Sequence, residues 1–362
     1  MVKKSFARRK FIVLLQAVLV SLSLSYVLSG CSYDTKNKEL IEEVENAADA
    51  FVKANEFNGT ILVAKDGKIL INKSYGYARF DDKTMITPQT RFMIGSITKQ
   101  FTAMAIMQLQ EKGLLSVEDK VDKYASGIPN SDKITIHHLL THTSGLPREI
   151  QMDTQPSSLS EAVEMVKTME FPKYPDPGKY YSYSNAGYIL LGYIIEKASG
   201  ISYKEYLQKN IFDPLEMKNS GFGYDRRKDN KLALGYETNM DCLTKESFID
   251  MSVWPHAAGA IYSTTEDLYK WDRALYTNKL VSEKSVEKIF TPAKNDYGYG
   301  WFIRSENGKR FYWHDGRVFG FNAYIARRVD EDICIVALSN VESFKGASNV
   351  LEGNIMNVLN LK

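Results

Sequence analysis

The sequence predicts an α+β fold, an antiparallel sheet flanked by helices with a mostly helical domain inserted between its halves. Three observations carry this. Both ends of the chain hold short β-type apolar runs, the middle holds helical spacing and turn-rich stretches, and no internal repeat is visible. Strands at both ends are most simply placed in one shared sheet, with the middle as an insertion. The expected division is residues 1–30 as an export signal, 31–38 as a spacer, 39–115 with 256–362 as the α/β domain, and 116–255 as the helical domain.

Each element follows from its pattern. Leu40, Ile41, Val44, Ala47, Phe51 and Val52 recur at helical spacing and predict an amphipathic helix. Residues 60–64 and 69–75 read as strands joined through Lys65-Asp66-Gly67-Lys68, and Asp-Gly between apolar runs is a strong hairpin signal. Over residues 98–112 the pattern is helical and apolar on most sides, so that helix is buried, and Gly113 stops it. Residues 188–198 form the best apolar helix of the middle. Strands are expected at 299–304, 310–314, 322–327 and 332–338, before a closing helix at 347–359.

The 362 residues include 46 Lys+Arg, 44 Asp+Glu and 44% hydrophobic residues, which excludes a disordered or collagenous chain. Residues 1–30 hold Lys3, Lys4, Arg8, Arg9 and Lys10 and no acid, so the remainder carries 44 acids against 41 bases. A mildly acidic body has no reason to seek polyanions, and no nucleic-acid partner is expected. The basic start, the apolar stretch over 11–28 and the small residues after it read as a signal peptide. Its end, Leu28-Ser29-Gly30-Cys31, resembles the bacterial lipobox, which implies a lipid anchor at Cys31 and a place on the extracytoplasmic side of the membrane. An ordinary signal or an uncleaved anchor are the other readings. Cys242 and Cys334 cannot form a disulfide framework, and Cys334 sits in an apolar run as a small hydrophobe.

The chemistry-bearing residues begin with Gly95-Ser96-Ile97-Thr98-Lys99. On a helix, i and i+3 share a face, so Ser96 and Lys99 can meet. A serine at a helix N-terminus has a free N–H and a dipole that favour developing negative charge. A lysine shielded from water loses basicity and can take the hydroxyl proton. The pattern alone is weak, because Ser285-Val286-Glu287-Lys288 matches it too; the apolar helix behind Ser96 discriminates. Tyr183-Ser184-Asn185 precedes a second apolar helix, and His314-Asp315-Gly316 ends a strand.

With these residues the sequence resembles the serine β-lactamase and penicillin-binding-protein superfamily, on its class C β-lactamase and DD-peptidase side. The match extends through Phe92-Met93-Ile94-Gly95-Ser96-Ile97-Thr98-Lys99-Gln100-Phe101, Leu139-Leu140-Thr141-His142-Thr143-Ser144-Gly145-Leu146-Pro147 and Tyr181-Ser182-Tyr183-Ser184-Asn185-Ala186-Gly187-Tyr188. It implies the β-lactamase/transpeptidase-like fold. It also implies Ser96 as acylated nucleophile, Lys99 as helper in its deprotonation, and Tyr183 as general base and acid through a phenolate favoured by cations. Asn185 would bind a substrate amide and Lys99. The oxyanion would lie between the backbone N–H groups of Ser96 and Arg317, with Gly316 leaving room for substrate.

The third motif departs from the family's Lys-Thr-Gly. His314 resembles the DD-peptidases, aminopeptidases and esterases of the family, which makes β-lactamase activity less expected. Asp315, if it faced the cleft, would repel a substrate carboxylate, and Arg317 could offset it. The expected activity is that of a D-alanyl-D-alanine carboxypeptidase or endopeptidase on peptidoglycan peptides, working through an acyl-enzyme without a cofactor. An esterase or weak β-lactamase is the alternative, and a non-hydrolytic sensor or scaffold is the reading from another class. His137, His138 and His142 cluster without a carboxylate or Cys partner, so metal ligation is not expected, and His142 is assigned to hydrogen bonding in its loop. His256 reads as a packed loop residue.

Overall fold

The computed structural model describes residues 37–150, 156, 158–169, 176–223, 231–239, 242–245, 256–306, 308–342 and 348–359. The expected signal peptide, Cys31 and most of the expected spacer lie outside the described residues. A helix already covers residues 37–55, so it begins inside the last two positions expected for the spacer.

Six strands form the main sheet: β1 (Gly59–Lys65), β2 (Lys68–Tyr75), β3 (Phe302–Glu306), β4 (Lys309–Val318), β5 (Phe321–Arg328) and β6 (Ile333–Ser339). Their order is β3-β4-β5-β6-β1-β2, with every neighbour antiparallel. The two ends of the chain thus meet at the β6–β1 pair, where Gly59 stands opposite Ser339. At the β1–β2 turn Asp66 and Gly67 both take positive φ, 51° and 72°, the backbone that matches strand twist.

Strand alternation divides the sheet into two faces. Ile61, Val63, Phe311 and Tyr324 pack against Val44 and Phe51 of the first helix and Leu351 and Ile355 of the closing helix, Ser348–Val358. Leu62, Tyr312 and Ile325 face the larger cluster, built around the helices Thr98–Glu111 and Asn185–Ser199. The helix Thr98–Glu111 is buried from Thr98 through Leu109, which explains its weak amphipathicity. One continuous buried cluster joins this sheet face to Leu139, Val163 and Ile189 of the middle segment. The middle is also not helix and loop alone. Gly221–Phe222 joins Phe92–Met93 and Ile261–Ser263 in a three-stranded sheet, and Tyr236–Asn239 pairs with Cys242–Lys245. These strands of two to four residues carry too little alternation to be read from sequence.

Candidate active site

Ser96 lies in the 3₁₀ turn Gly95–Ile97, which runs directly into the buried helix Thr98–Glu111. Gly95 has φ of +50°, and a Cβ there would stand 2.7 Å from the Arg317 nitrogen. A Cβ on Gly316 would stand 2.0 Å from the Ile94 oxygen and 3.0 Å from the Ser96 nitrogen. Two glycines therefore let the serine turn and β4 touch backbone to backbone, bringing the nitrogens of Ser96 and Arg317 to one spot. That convergence suits an oxyanion hole.

One helical turn on, Lys99 is completely buried. Its Nζ donates to Ser96 Oγ at 3.0 Å, to Asn185 Oδ1 at 2.7 Å and to the Ala258 carbonyl at 2.9 Å. Burial pushes its pKa down to about 7; the charges of Glu149 and Asp315 resist that shift and Arg148 assists it. Tyr183 hydrogen-bonds Ser96, and Lys99 Nζ lies 4.9 Å from its ring centre. Burial raises the Tyr183 phenol well above its ordinary range; the Ser96 hydrogen bond and Arg148 oppose this and Asp315 adds to it. Burial thus works against the expected phenolate, while Ser96 and the Arg148 cation work for it. Of the two groups, Lys99 is the one able to be a free base near neutral pH, and Tyr183 stays protonated as a donor.

The strand-helix loops hold this arrangement. Ser184 caps the helix Asn185–Ser199 by accepting from the Gly187 N–H, and its own Oγ donates to the Pro147 carbonyl. The Asn185 N–H donates to the Arg148 carbonyl at 2.7 Å. His142, in the left-handed region at φ 56°, accepts the Ser184 N–H at Nδ1. Burial and the nearby Lys99 hold it neutral, well below its usual pKa. Its expected loop hydrogen bond is therefore present. His137 contacts the Tyr299 hydroxyl, His138 completes a capping box with Thr135, and His256 packs on Tyr203 and Phe222.

The third motif behaves differently from expectation. His314 is 1% exposed, with Nε2 against the Tyr297 hydroxyl and Nδ1 against the Asp315 carbonyl. Burial drives its pKa down to about 4, against the Asp315 charge, so the ring is neutral at pH 7. His314, expected to contact substrate, has both ring nitrogens engaged by Tyr297 and Asp315 in this structure. Asp315 and Arg317 fall on the register face of Phe311 and Trp313, opposite the face of His314 and Gly316. Asp315 therefore does not point with His314 toward the catalytic helix, although its charge is felt by Lys99 and Tyr183. Strand β3 pairs only with positions 309–313 of β4, so among the described residues positions 314–318 have one edge without a strand partner.

Sequence reasoning missed the Ala258 carbonyl, Glu149 and Tyr297. A backbone acceptor has no residue signature, and Glu149 follows the Leu146-Pro147 match without a motif of its own. Glu149 Oε1 accepts from Asn185 Nδ2 at 2.7 Å.

The Beta-lactamase family model matches residues 44–358. Penicillin-binding protein 4* of Bacillus subtilis (strain 168) is 34% identical over 332 residues, covering 83% of this chain and 73% of that protein. Among solved structures, a penicillin-binding protein from Bacillus halodurans matches with a TM-score of 0.76 and 30% identity, over 86% of this chain and 98% of that one. The octameric penicillin-binding protein homologue from Pyrococcus abyssi matches with a TM-score of 0.77 and 30% identity, over 88% of this chain and 77% of that one. The chain belongs to the Beta-lactamase family and is a serine hydrolase of penicillin-binding-protein type.

A rate that depends on the neutral Lys99 amine has a fixed sign with pH. The amine is free above its pKa of about 7 and protonated below it. Acylation kcat/KM is therefore expected to climb through pH 7 from the acid side, and a pH–rate profile checks this. A rate that stays level down to pH 5 would remove Lys99 as the base.

Proposed function

We propose that the chain hydrolyses D-alanyl peptides of peptidoglycan through an acyl-serine at Ser96, as a D-alanyl-D-alanine endopeptidase or carboxypeptidase. The observation that carries this is the Lys99–Ser96–Asn185 hydrogen-bond set beside the strand edge at 314–318, which has no strand partner among the described residues. An extended peptide laid along such an edge gains backbone hydrogen bonds and presents a carbonyl to Ser96. Ser96 Oγ attacks that carbonyl and passes its proton to Lys99, while the oxyanion rests between the Ser96 and Arg317 N–H groups. Tyr183 protonates the leaving nitrogen and regains its proton from the Lys99 ammonium. Water then releases the acyl group by the reverse relay.

The neutral, buried His314 favours a leaving group without a free carboxylate, because no fixed cation stands at the third motif. Cross-linked peptides whose acceptor amine carries no α-carboxylate, and as a second reading esters, fit this better than a pentapeptide end, since Arg317 lies on the opposite face of β4. Cys31 in its Leu-Ser-Gly-Cys setting supports an anchored protein working at the cell wall.

The soluble domain from residue 32 is to be incubated with cross-linked muropeptides, a D-alanyl-D-alanine pentapeptide, a D-alanyl ester and a penicillin, beside a Ser96→Ala control. We expect cleavage of the cross-linked peptide ahead of the pentapeptide, abolished in the control. Turnover of the ester alone would move the assignment to an esterase. Turnover that survives Ser96→Ala would remove the acyl-serine mechanism.

A further inference from the structure

In this site His314 of the third motif brings no charge to the proton relay, since it is buried with both nitrogens engaged. Two charged side chains reach the relay from the loop that follows the short helix Ile136–Leu140. The Arg148 guanidinium carbon stands 5.1 Å from the centre of the Tyr183 ring. Glu149 Oε1 accepts from Asn185 Nδ2, and Oδ1 of the same amide accepts from Lys99, both at 2.7 Å. The loop is fixed in place by the Asn185 N–H on the Arg148 carbonyl and by Ser184 Oγ on the Pro147 carbonyl. Arg148 Nε and Glu149 Oε1 are 3.7 Å apart, with side chains 71% and 52% exposed.

We propose that Arg148 and Glu149 are an opposed charge pair that tunes the Ser96–Lys99–Tyr183 relay, Arg148 favouring the uncharged Lys99 amine and Glu149 favouring the ammonium. This rests on the acyl-serine reading above. Neither residue touches the reacting atoms; both act on Lys99 through Tyr183, Asn185 and the field. The other groups around Lys99 leave room for such control. His142 and His314 are neutral at pH 7, Tyr183 and Tyr188 are held as phenols, and Asp315 is the remaining anion whose charge reaches Lys99. The physical signs agree with the proposal, with Arg148 lowering and Glu149 raising the Lys99 pKa. Because both side chains are largely exposed, replacing them disturbs little packing.

The test uses p-nitrophenyl acetate, an activated ester whose leaving group needs no recognition, so it does not depend on the peptidoglycan assignment. Acylation of Ser96 is followed against pH by intact mass and nitrophenolate release, with Ser96→Ala as background. We expect Arg148→Gln to move the acid limb up by about half a pH unit or more, and Glu149→Gln to move it down by a similar amount. Arg148→Lys, which keeps the charge, should restore the wild-type limb. A purely structural role would lower rates without moving the limb. Shifts in one common direction, or none beyond about 0.2 unit, would overturn the proposal while leaving the acyl-serine reading intact. A wild type that is never acylated at Ser96 would overturn both.

Discussion

Replacing Lys99 by Met is expected to slow acylation of Ser96 by about 10²–10⁴-fold, the range lost when a positioned proton acceptor is removed. Lys99 is the group 3.0 Å from Ser96 Oγ that can be uncharged near neutrality, since burial brings its pKa to about 7 while Tyr183 is pushed the other way. The fold should survive. Met has nearly the same length, and an ammonium no longer has to be desolvated. The cost is that Asn185 Oδ1 and the Ala258 carbonyl lose their donor, about 1–3 kcal/mol per unsatisfied group at most. Acylation rates and thermal unfolding, measured on the same preparation, separate the two effects. A variant that keeps more than about a tenth of the wild-type rate would contradict the role given to Lys99.

Gly316→Ala is expected to be the second severe change. Its Cβ would lie 2.0 Å from the Ile94 oxygen and 3.0 Å from the Ser96 nitrogen, both backbone atoms. No side-chain movement relieves such a contact, so β4 and the serine turn must separate. Separation pulls apart the two N–H groups that receive the oxyanion, and losing one such donor costs about 10²–10³ in kcat. Stability should fall as well, by the mechanism of backbone overpacking. Gly308→Ala is the matched control on the same strand approach, because nothing lies within 4 Å of its Cβ, although its φ of +79° adds strain. Near-normal kcat in Gly316→Ala would show that the two backbones can part without harm.

Much of this was legible in the sequence for physical reasons. Short apolar β runs, the Asp66-Gly67 turn and two long apolar helices carried the sheet and its buried helices to within a few residues of their observed bounds. Ser96 and Lys99 stood out through their spacing at the start of an apolar helix, while Tyr183 and Asn185 took their roles from the family resemblance. What was not legible depends on tertiary burial. The phase of β4, which sends Asp315 and Arg317 to the face of Trp313, is set by pairing with β5. The opposite directions in which the Lys99 and Tyr183 pKa values move come from desolvation inside the assembled core. The Ala258 carbonyl, some 160 positions from Lys99, is a contact that no short pattern contains.

The central claim is that Ser96, and not another serine, carries the acyl group. The most direct measurement is to quench wild-type protein during reaction with p-nitrophenyl acetate and locate the adduct by peptide mass mapping. The Ser285-Val286-Glu287-Lys288 copy of the spacing serves as an internal control, since Ser285 Oγ is bound to Glu111. An acyl group on the peptide holding Ser96, absent in Lys99→Met, is the predicted result. An adduct on Ser285 or on surface lysines alone, with Ser96 unmodified, would contradict the account.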